Sequence, residues 1–229
     1  MKIYFVRHGH PNYREDCLTE LGHLQAQAAA ERLKDLGIQK IFASSMGRAV
    51  QTAEYTAKML GLDITTCDFI REISWGSVSD VPIPERGHPW HLSTLRASEN
   101  KSIFMNDWQT YYPYCNSKVL ESYQRVSNGI DLLLNELGYK REGDYYRVVG
   151  DNTDQTIAIF SHAGASSAAI SHMLNIPLPQ FCGAFTVDFT SITQIELLND
   201  KNTLVYPKIF LFNDARHISG IECERIIDN

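Results

Sequence analysis

The residues that could do chemistry in this sequence are arginines, histidines and serines in three short groups. An arginine guanidinium binds phosphate oxygens through two parallel N–H donors, and a histidine nitrogen can donate to another oxygen or attack phosphorus. Together they would form a phosphate pocket built from side chains, because no glycine-rich phosphate loop is present in the sequence. The groups are Arg7-His8-Gly9, Ser44-Ser45 with Arg48, and Ser161-His162-Ala163-Gly164.

Each group follows a short apolar run that predicts a buried strand, and helical patterns alternate with these runs. The alternation predicts an α/β fold, a three-layer αβα sandwich with a mostly parallel central sheet and antiparallel additions. Ligands bind beyond the carboxyl ends of such strands, so we expect the three groups to converge. The predicted strands are 3–6, 40–43, 62–69, 156–160, 190–198 and 205–212, and the predicted helices are 20–36, with Thr19 as N-cap, 46–60, 119–137 and 163–174.

One segment, residues 76–118, has no clear period and is called the insertion below. It contains four prolines and many aromatic residues. An irregular segment of this length is uncommon in a compact domain unless it is functional. Two interpretations remain open, a surface excursion with its own aromatic cluster and a cap over an active site. We predict one domain, 1–229, with the insertion as its cap.

Composition and charge exclude several classes of protein. The chain has 229 residues, of which 44% are hydrophobic and 21% charged, so wholesale disorder is excluded. The net charge is 21 − 27 = −6 without a long basic run, which disfavours nucleic acid as a partner. No apolar run approaches the roughly 18 residues of a membrane span, so no membrane partner is expected. Five cysteines without a CxxC pair favour a reduced, cytoplasmic protein.

The three groups belong to a longer set of motifs that resembles the histidine phosphatase superfamily, the phosphoglycerate-mutase-like group of branch 1 type. Order and spacing match the family from residue 2 to about residue 174. Glu121-Ser122 and the stretch 213–217 also match. The carrying motifs are Arg7-His8-Gly9, Leu18-Thr19-x-x-Gly22-x-x-Gln25-Ala26, Ser44-Ser45-x-x-Arg48-Ala49-x-Gln51-Thr52-Ala53, and Ser161-His162-Ala163-Gly164.

The resemblance implies a catalytic role for each residue of the pocket. His8 would be the nucleophile that forms a transient phosphohistidine, and its ordinary pKa leaves a neutral ring nitrogen at cytoplasmic pH. Arg7, Arg48 and His162 would hold the phosphoryl oxygens in the ground and transition states. Because cationic side chains supply the electrostatic stabilisation, no metal and no other cofactor is expected.

The resemblance also places a general acid after the third strand, where Glu72 stands shortly before Gly76. Such an acid protonates the leaving alcohol and later activates water. An ion pair with Arg71 is the competing explanation for Glu72. Other carboxylates that could serve instead are Asp80, Glu85 and Glu20.

The loop after His8 departs from the family pattern, which has a threonine and then an asparagine here. Pro11 takes the threonine position and no asparagine stands at the usual place. Asn12 and Arg14 are candidate substrate contacts, although each is also an ordinary loop residue. Two histidines in the insertion, His88 and His91, are expected to be cap or surface residues.

These observations favour a metal-independent phosphomonoesterase, a phosphatase of the histidine acid phosphatase type, that acts on a small phosphorylated metabolite. The insertion has no adjacent arginine pair to grip a multiply charged acid, and therefore mutase-type phosphoryl transfer is the alternative. Loss of catalysis with retention of phosphate binding is a further alternative, which the intact His8 disfavours. The expected partner is the phosphorylated small molecule, and a homodimer is a candidate assembly.

Overall fold

The computed structural model describes residues 1–151 and 153–221, without the side chains of residues 85, 86, 92 and 93. The remainder of the predicted 1–229 domain, residues 152 and 222–229, lies outside the described part. The strands are β1 (Lys2–Arg7), β2 (Pro11–Asn12), β3 (Cys17–Leu18), β4 (Lys40–Ser44), β5 (Ile64–Cys67), β6 (Tyr139–Glu142), β7 (Tyr145–Val148), β8 (Thr156–Ser161), β9 (Ile192–Glu196), β10 (Leu204–Val205) and β11 (Lys208–Asp214). The helices are α1 (Glu20–Leu33), α2 (Gly47–Leu60), α3 (Pro89–Ser98), α4 (Val119–Glu136), α5 (Ala163–Met173) and α6 (Leu178–Ala184).

A six-stranded mixed sheet forms the middle of the molecule, in the order β11-β9-β1-β8-β4-β5. The four strands β1, β8, β4 and β5 run parallel, while β9 and β11 are antiparallel additions at one edge. This confirms the predicted fold class. Side chains of β1 alternate between two apolar clusters, with Ile3 and Phe5 in one and Tyr4 and Val6 in the other. The sheet is therefore covered on both faces.

The helices pack in two layers, and their ends follow from local sequence. On one face Leu33 of α1 and Ala53 of α2 join the same cluster, and α4, α5 and α6 cover the opposite face. Thr19 caps α1 as predicted, because its side chain accepts the Gly22 N–H at 3.1 Å. The prediction that α1 extends to residue 36 is wrong. The helix ends at Leu33 and a tighter turn follows, in which Leu36 N–H donates to the Leu33 carbonyl.

The insertion is more regular than its sequence predicts, because it contains the ten-residue helix α3 and several single turns of 3-10 helix. Proline at the first helical position favours the start of α3 at Pro89. Trp108 and Tyr114 are buried and pack edge to face, with ring centroids 5.4 Å apart. A bridge between Ser77 and Ser117 ties the two ends of the insertion together. The description of the insertion as irregular is thus corrected.

Several further elements were not predicted, among them a hairpin and a short helix. A hairpin of β6 and β7 turns at Gly143-Asp144 and forms a separate three-stranded sheet with β10. Residues 205–212 were predicted as one strand, but Val205 belongs to this small sheet and only β11 pairs with β9. The short helix α6 packs against α3. Over the described residues, none of the helices is long and apolar enough to span a bilayer.

Candidate active site

The site lies where β1, β8 and β4, three adjacent parallel strands, reach their carboxyl ends. Arg7 is opposite Ser161 in the register of β1 and β8, and the His8 N–H donates to the Ser161 carbonyl at 2.8 Å. Arg48 lies in the first turn of α2, directly after β4. The predicted convergence of the three groups is confirmed by this arrangement, since the rings of His8 and His162 are 5.1 Å apart.

The hydrogen bonds of His8 assign its tautomer. Its Nδ1 lies 2.7 Å from the Gly9 carbonyl oxygen, which only accepts, so Nδ1 carries the proton. The lone pair is then on Nε2, where it accepts from Nε of Arg48 at 3.3 Å. The ring is 1% exposed. A neutral imidazole with an unprotonated Nε2 can attack phosphorus, once a phosphoryl group takes the place of Nε2 as the partner of Arg48.

Two buried arginines bring positive charge to the pocket. Arg7 donates from Nη1 to the Val187 carbonyl at 2.7 Å, and its guanidinium carbon lies 4.0 Å above the Phe189 ring. This cation–π contact is worth about 0.5–2 kcal/mol and helps to hold the guanidinium over the Phe189 ring. Arg48 is paired with Asp16, whose Oδ1 lies 2.5 Å from Nη1.

The second histidine, His162, is oriented by a serine. Ser44 Oγ accepts the Met46 N–H at 3.3 Å and lies 2.8 Å from Nε2 of His162. When the serine proton points at Nε2, the ring proton is on Nδ1. That nitrogen is buried and has no hydrogen-bond partner among the described residues. In this tautomer, His162 has a donor available inside the site.

Glu72 is seated on the N-terminus of α5, immediately after His162. Its Oε1 accepts the Ala165 N–H at 2.9 Å and its Oε2 accepts the Gly164 N–H at 3.4 Å. A Cβ at position 164 would lie 2.7 Å from Oε1 and 2.5 Å from Ile73, so only glycine lets the carboxyl group approach the helix. The glycine of the Ser161–Gly164 motif therefore makes room for the carboxyl group.

The pKa values of these groups are displaced by burial. Burial, then the charges of His162, Arg7 and Arg48, hold the pKa of His8 well below 6.5. Burial, then Arg48 and Arg7, likewise holds the pKa of His162 well below 6.5. Both rings are thus neutral near pH 7. Burial raises the pKa of Glu72 above 4.5, although backbone N–H donors and Arg7 oppose this shift. A carboxyl group that keeps its proton to higher pH is suited to donate it.

Other predicted residues are placed differently. The Asn12 side chain accepts the backbone N–H groups of Arg14 and Glu15 at 3.2 and 3.4 Å and so shapes its own loop. Arg14 is exposed. Their contact with substrate stays a prediction. Glu20 and Asp80, two of the alternative acids, are exposed, and the side chain of Glu85 lies outside the described part.

The two histidines of the insertion form an aromatic group with two tryptophans. The rings of His88 and Trp75 are 4.3 Å apart, and those of His88 and His91 are 5.5 Å apart. Trp90 packs against both histidines. His88 is buried rather than at the surface, since the tryptophan rings cover it. In the described part of the chain, no three His, Cys, Asp or Glu side chains are grouped closely enough to hold a metal ion.

Three residues of the site were missed from sequence. Phe189 packs against His8 at 5.7 Å and supports Arg7. Tyr13 lies 5.3 Å from the Arg48 guanidinium carbon, and Asp16 is the ion-pair partner of that arginine. Of these three, only Asp16 had a signal in the sequence that could have pointed to the site, its position just before the Leu18-Thr19 motif.

This geometry agrees with the comparison with known families, in which residues 3–209 match the model of the histidine phosphatase superfamily (branch 1). The chain belongs to the histidine phosphatase superfamily. Its motif residues are those that the structure brings together at the ends of β1, β4 and β8.

Three individual members of the superfamily that resemble this chain share a third or less of its sequence. A protein provisionally named phosphoserine phosphatase 2, from Hydrogenobacter thermophilus, is 26% identical over 217 residues, which are 90% of this chain and 94% of that protein. The probable phosphoglycerate mutase GpmB of Yersinia pestis is 31% identical over 116 residues, only 45% of this chain and 54% of that protein. The mycobacterial glucosyl-3-phosphoglycerate phosphatase, solved with inorganic phosphate, has a TM-score of 0.65 at 20% identity, covering 95% of this chain and 99% of that one. The last likeness shows the shared fold.

Proposed function

We propose that this protein is a metal-independent phosphomonoesterase, which hydrolyses a small phosphorylated metabolite through a phosphohistidine at His8. The observation that carries the proposal is the orientation of the His8 ring, whose unprotonated Nε2 lies 3.3 Å from Arg48 Nε in a pocket that also holds Arg7 and His162. The relative named as a phosphoserine phosphatase, which this chain matches over 94% of that protein's length, supports the same class of reaction.

In the first step, Nε2 of His8 attacks phosphorus and the bond between phosphorus and the ester oxygen breaks. The guanidinium groups of Arg7 and Arg48 and the Nδ1–H of His162 stabilise the negative charge on the phosphoryl oxygens. The leaving oxygen takes its proton from the carboxyl group of Glu72. The products of this step are the free alcohol, the Glu72 carboxylate and phosphohistidine.

In the second step, water hydrolyses the phosphohistidine. The Glu72 carboxylate takes a proton from the water as its oxygen attacks phosphorus, and the bond to Nε2 of His8 breaks. Inorganic phosphate leaves, and both residues return to their starting states. The Gly9 carbonyl supports this cycle because its hydrogen bond to Nδ1 keeps the lone pair of the ring on Nε2.

Mutase-type transfer is the second candidate, favoured by the likeness to the probable phosphoglycerate mutase over part of the chain. Basic residues of the insertion would have to hold a small, multiply charged acid during such a transfer. Two of them are engaged within the insertion itself, Arg96 with the Ser102 carbonyl at 2.7 Å and Lys101 with Glu99 at 2.8 Å. Hydrolysis is therefore preferred.

A panel of phosphorylated compounds tests the proposal. Purified protein is incubated with phosphoserine, 3-phosphoglycerate and p-nitrophenyl phosphate, with and without a metal chelator, and the release of inorganic phosphate is measured. We expect release that survives the chelator and is abolished by His8→Asn. The matched control is His23→Asn, which removes a histidine of α1 that is bonded to Tyr55. Conversion of 3-phosphoglycerate to its isomer without phosphate release would establish the mutase instead.

A further inference from the structure

Asp16 contacts the two groups that shape one side of the phosphate pocket. Its Oδ1 pairs with Nη1 of Arg48, and its Oδ2 accepts the N–H of Gly47 at 2.7 Å. Gly47 is the first residue of α2, so one carboxylate bonds both the helix that carries Arg48 and the guanidinium itself. The Arg48 side chain is 5% exposed and that of Asp16 is 40% exposed. The contact thus closes the solvent side of a buried cation.

The backbone is adapted to this contact. Asp16 has a φ of +50°, in the left-handed region that aspartate enters more readily than most side chains. A Cβ on Gly47 would lie 2.3 Å from the Asp16 carbonyl oxygen. The loop therefore touches the start of α2 at a position where only a glycine fits.

Arg48 is held on several sides, by contacts of unequal strength. Tyr13 covers the guanidinium at 5.3 Å, Met46 Sδ accepts from Nη2 at 3.8 Å, and His8 accepts from Nε at 3.3 Å. The pair with Asp16 joins two full charges, and charge-assisted hydrogen bonds are roughly twice as strong as neutral ones. An arginine carries about 2 kcal/mol of rotamer entropy, and this pair restricts it before a ligand arrives.

We propose that Asp16 is a positioning residue, which holds the Arg48 guanidinium beside Nε2 of His8. The N–H donors of the guanidinium are then in place when a phosphoryl group arrives. Asp16 acts through Arg48 and does not contact the phosphoryl group. The inference rests on the proposed function in one respect, that Arg48 binds the phosphoryl group. It goes beyond that function because it names the residue on which the geometry of Arg48 depends.

The charge of Asp16 predicts a specific kinetic signature. Removing the carboxylate frees Arg48, but it also removes a negative charge that repels a phosphate dianion. These effects oppose each other in the ground state, so KM and the affinity for inorganic phosphate should change little. The transition state depends more sharply on alignment, and misplacement by about 1 Å costs as much as about 10²-fold in rate. The loss should therefore appear in kcat.

The test compares three variants by steady-state kinetics and by calorimetric titration with inorganic phosphate. Asp16→Asn keeps an acceptor for Gly47 but loses the charge, Asp16→Ala loses both contacts, and Glu15→Gln removes an exposed charge from the same loop. We expect both Asp16 variants to lower kcat about tenfold or more, with KM and phosphate affinity within about threefold. Glu15→Gln should match the wild type. Thermal unfolding of both variants separates an effect on folding from an effect on catalysis, since only Asp16→Asn retains the hydrogen bond to Gly47 of α2.

A double-mutant cycle decides whether Asp16 works through Arg48. If it does, Arg48→Lys costs much less in the Asp16→Asn background than in the wild type, because the orientation is already lost. Additive effects, or an unchanged kcat in Asp16→Asn, would overturn the proposal. If the wild type shows no turnover at all, the proposed function fails, and the NMR signal of Arg48 Nε–H decides the positioning role. Asp16→Asn should shift or broaden that signal, and an unchanged signal would refute it.

Discussion

Replacing Glu72 with glutamine removes the proposed acid while keeping the size of the side chain. The glutamine oxygen can still accept the N–H groups of Ala165 and Ile73, both 2.9 Å from Oε1 in the native protein. Its nitrogen would face the long 3.4 Å contact with Gly164, so the fold should tolerate the change. Because burial raises the pKa of Glu72, the native group keeps its proton to higher pH than an exposed glutamate, and the variant has no proton to give.

The expected magnitude depends on the leaving group. General acid catalysis contributes about 10²–10⁴-fold, so kcat for phosphoserine should fall by that factor. The same factor is about 3–5 kcal/mol of barrier. The p-nitrophenolate ion leaves with little protonation, so p-nitrophenyl phosphate should be slowed by less than about tenfold. With phosphoserine, wild-type kcat should decline as pH rises through the raised pKa of Glu72, and the variant should lack this decline.

The assay is phosphate release from both substrates between pH 5 and pH 8. Glu20→Gln serves as control, because Glu20 is an exposed carboxylate in the first turn of α1 and one of the alternative acids. Equal slowing of both substrates by Glu72→Gln would refute its role as acid. A leaving-group effect in Glu20→Gln or Asp80→Asn instead would transfer the role to that carboxylate.

Three further predictions concern the groups around the acid. The lowered pKa values of His8 and His162 mean that the unfolded chain takes up protons below pH 6.5 that the native state does not. As the pH decreases below 6.5, the free energy of unfolding should therefore fall by up to about 1.4 kcal/mol per pH unit for each histidine. Urea titrations at several pH values should show that this free energy depends less steeply on pH in His8→Asn. Gly164→Ala forces a methyl group to within 2.5 Å of Ile73, and thermal unfolding should show a loss of about 1–3 kcal/mol, whereas an unchanged midpoint would contradict the close approach. Ser44→Ala removes the partner of His162, so kcat/KM should fall about tenfold through misorientation of the ring, and wild-type kinetics would mean that the serine does not set the tautomer.

The placement of the central site could be predicted because it depends on strong, local patterns. The runs that became β1, β4 and β8 are short and almost wholly apolar, as strands buried on both faces of a sheet must be. The polar residues after them then had to meet at one edge. Glu72 came from the family resemblance, and no pattern in its own segment indicated that it would bond to the start of α5.

The loop contacts could not be predicted because they depend on tertiary approach. Asp16 reaches Arg48 only through its left-handed backbone and the bare Cα of Gly47, and neither has a signature in the loop sequence. Helix α3 was hidden among prolines, since a proline that starts a helix looks the same as one in a loop. The hairpin of β6 and β7 did carry a signal, Gly143-Asp144 between two tyrosine-containing segments, which is typical of a tight turn.

In the proposed mechanism His8 carries the phosphoryl group during turnover, and this intermediate can be trapped. Protein is mixed with ³²P-labelled substrate, quenched in alkali within the first turnover, digested and mapped by mass spectrometry under conditions that preserve phosphohistidine. We expect one acid-labile label on the peptide that contains His8, at Nε2, and none in His8→Asn. Phosphate release by the wild type without any label at this position, or with label on another residue, would contradict it.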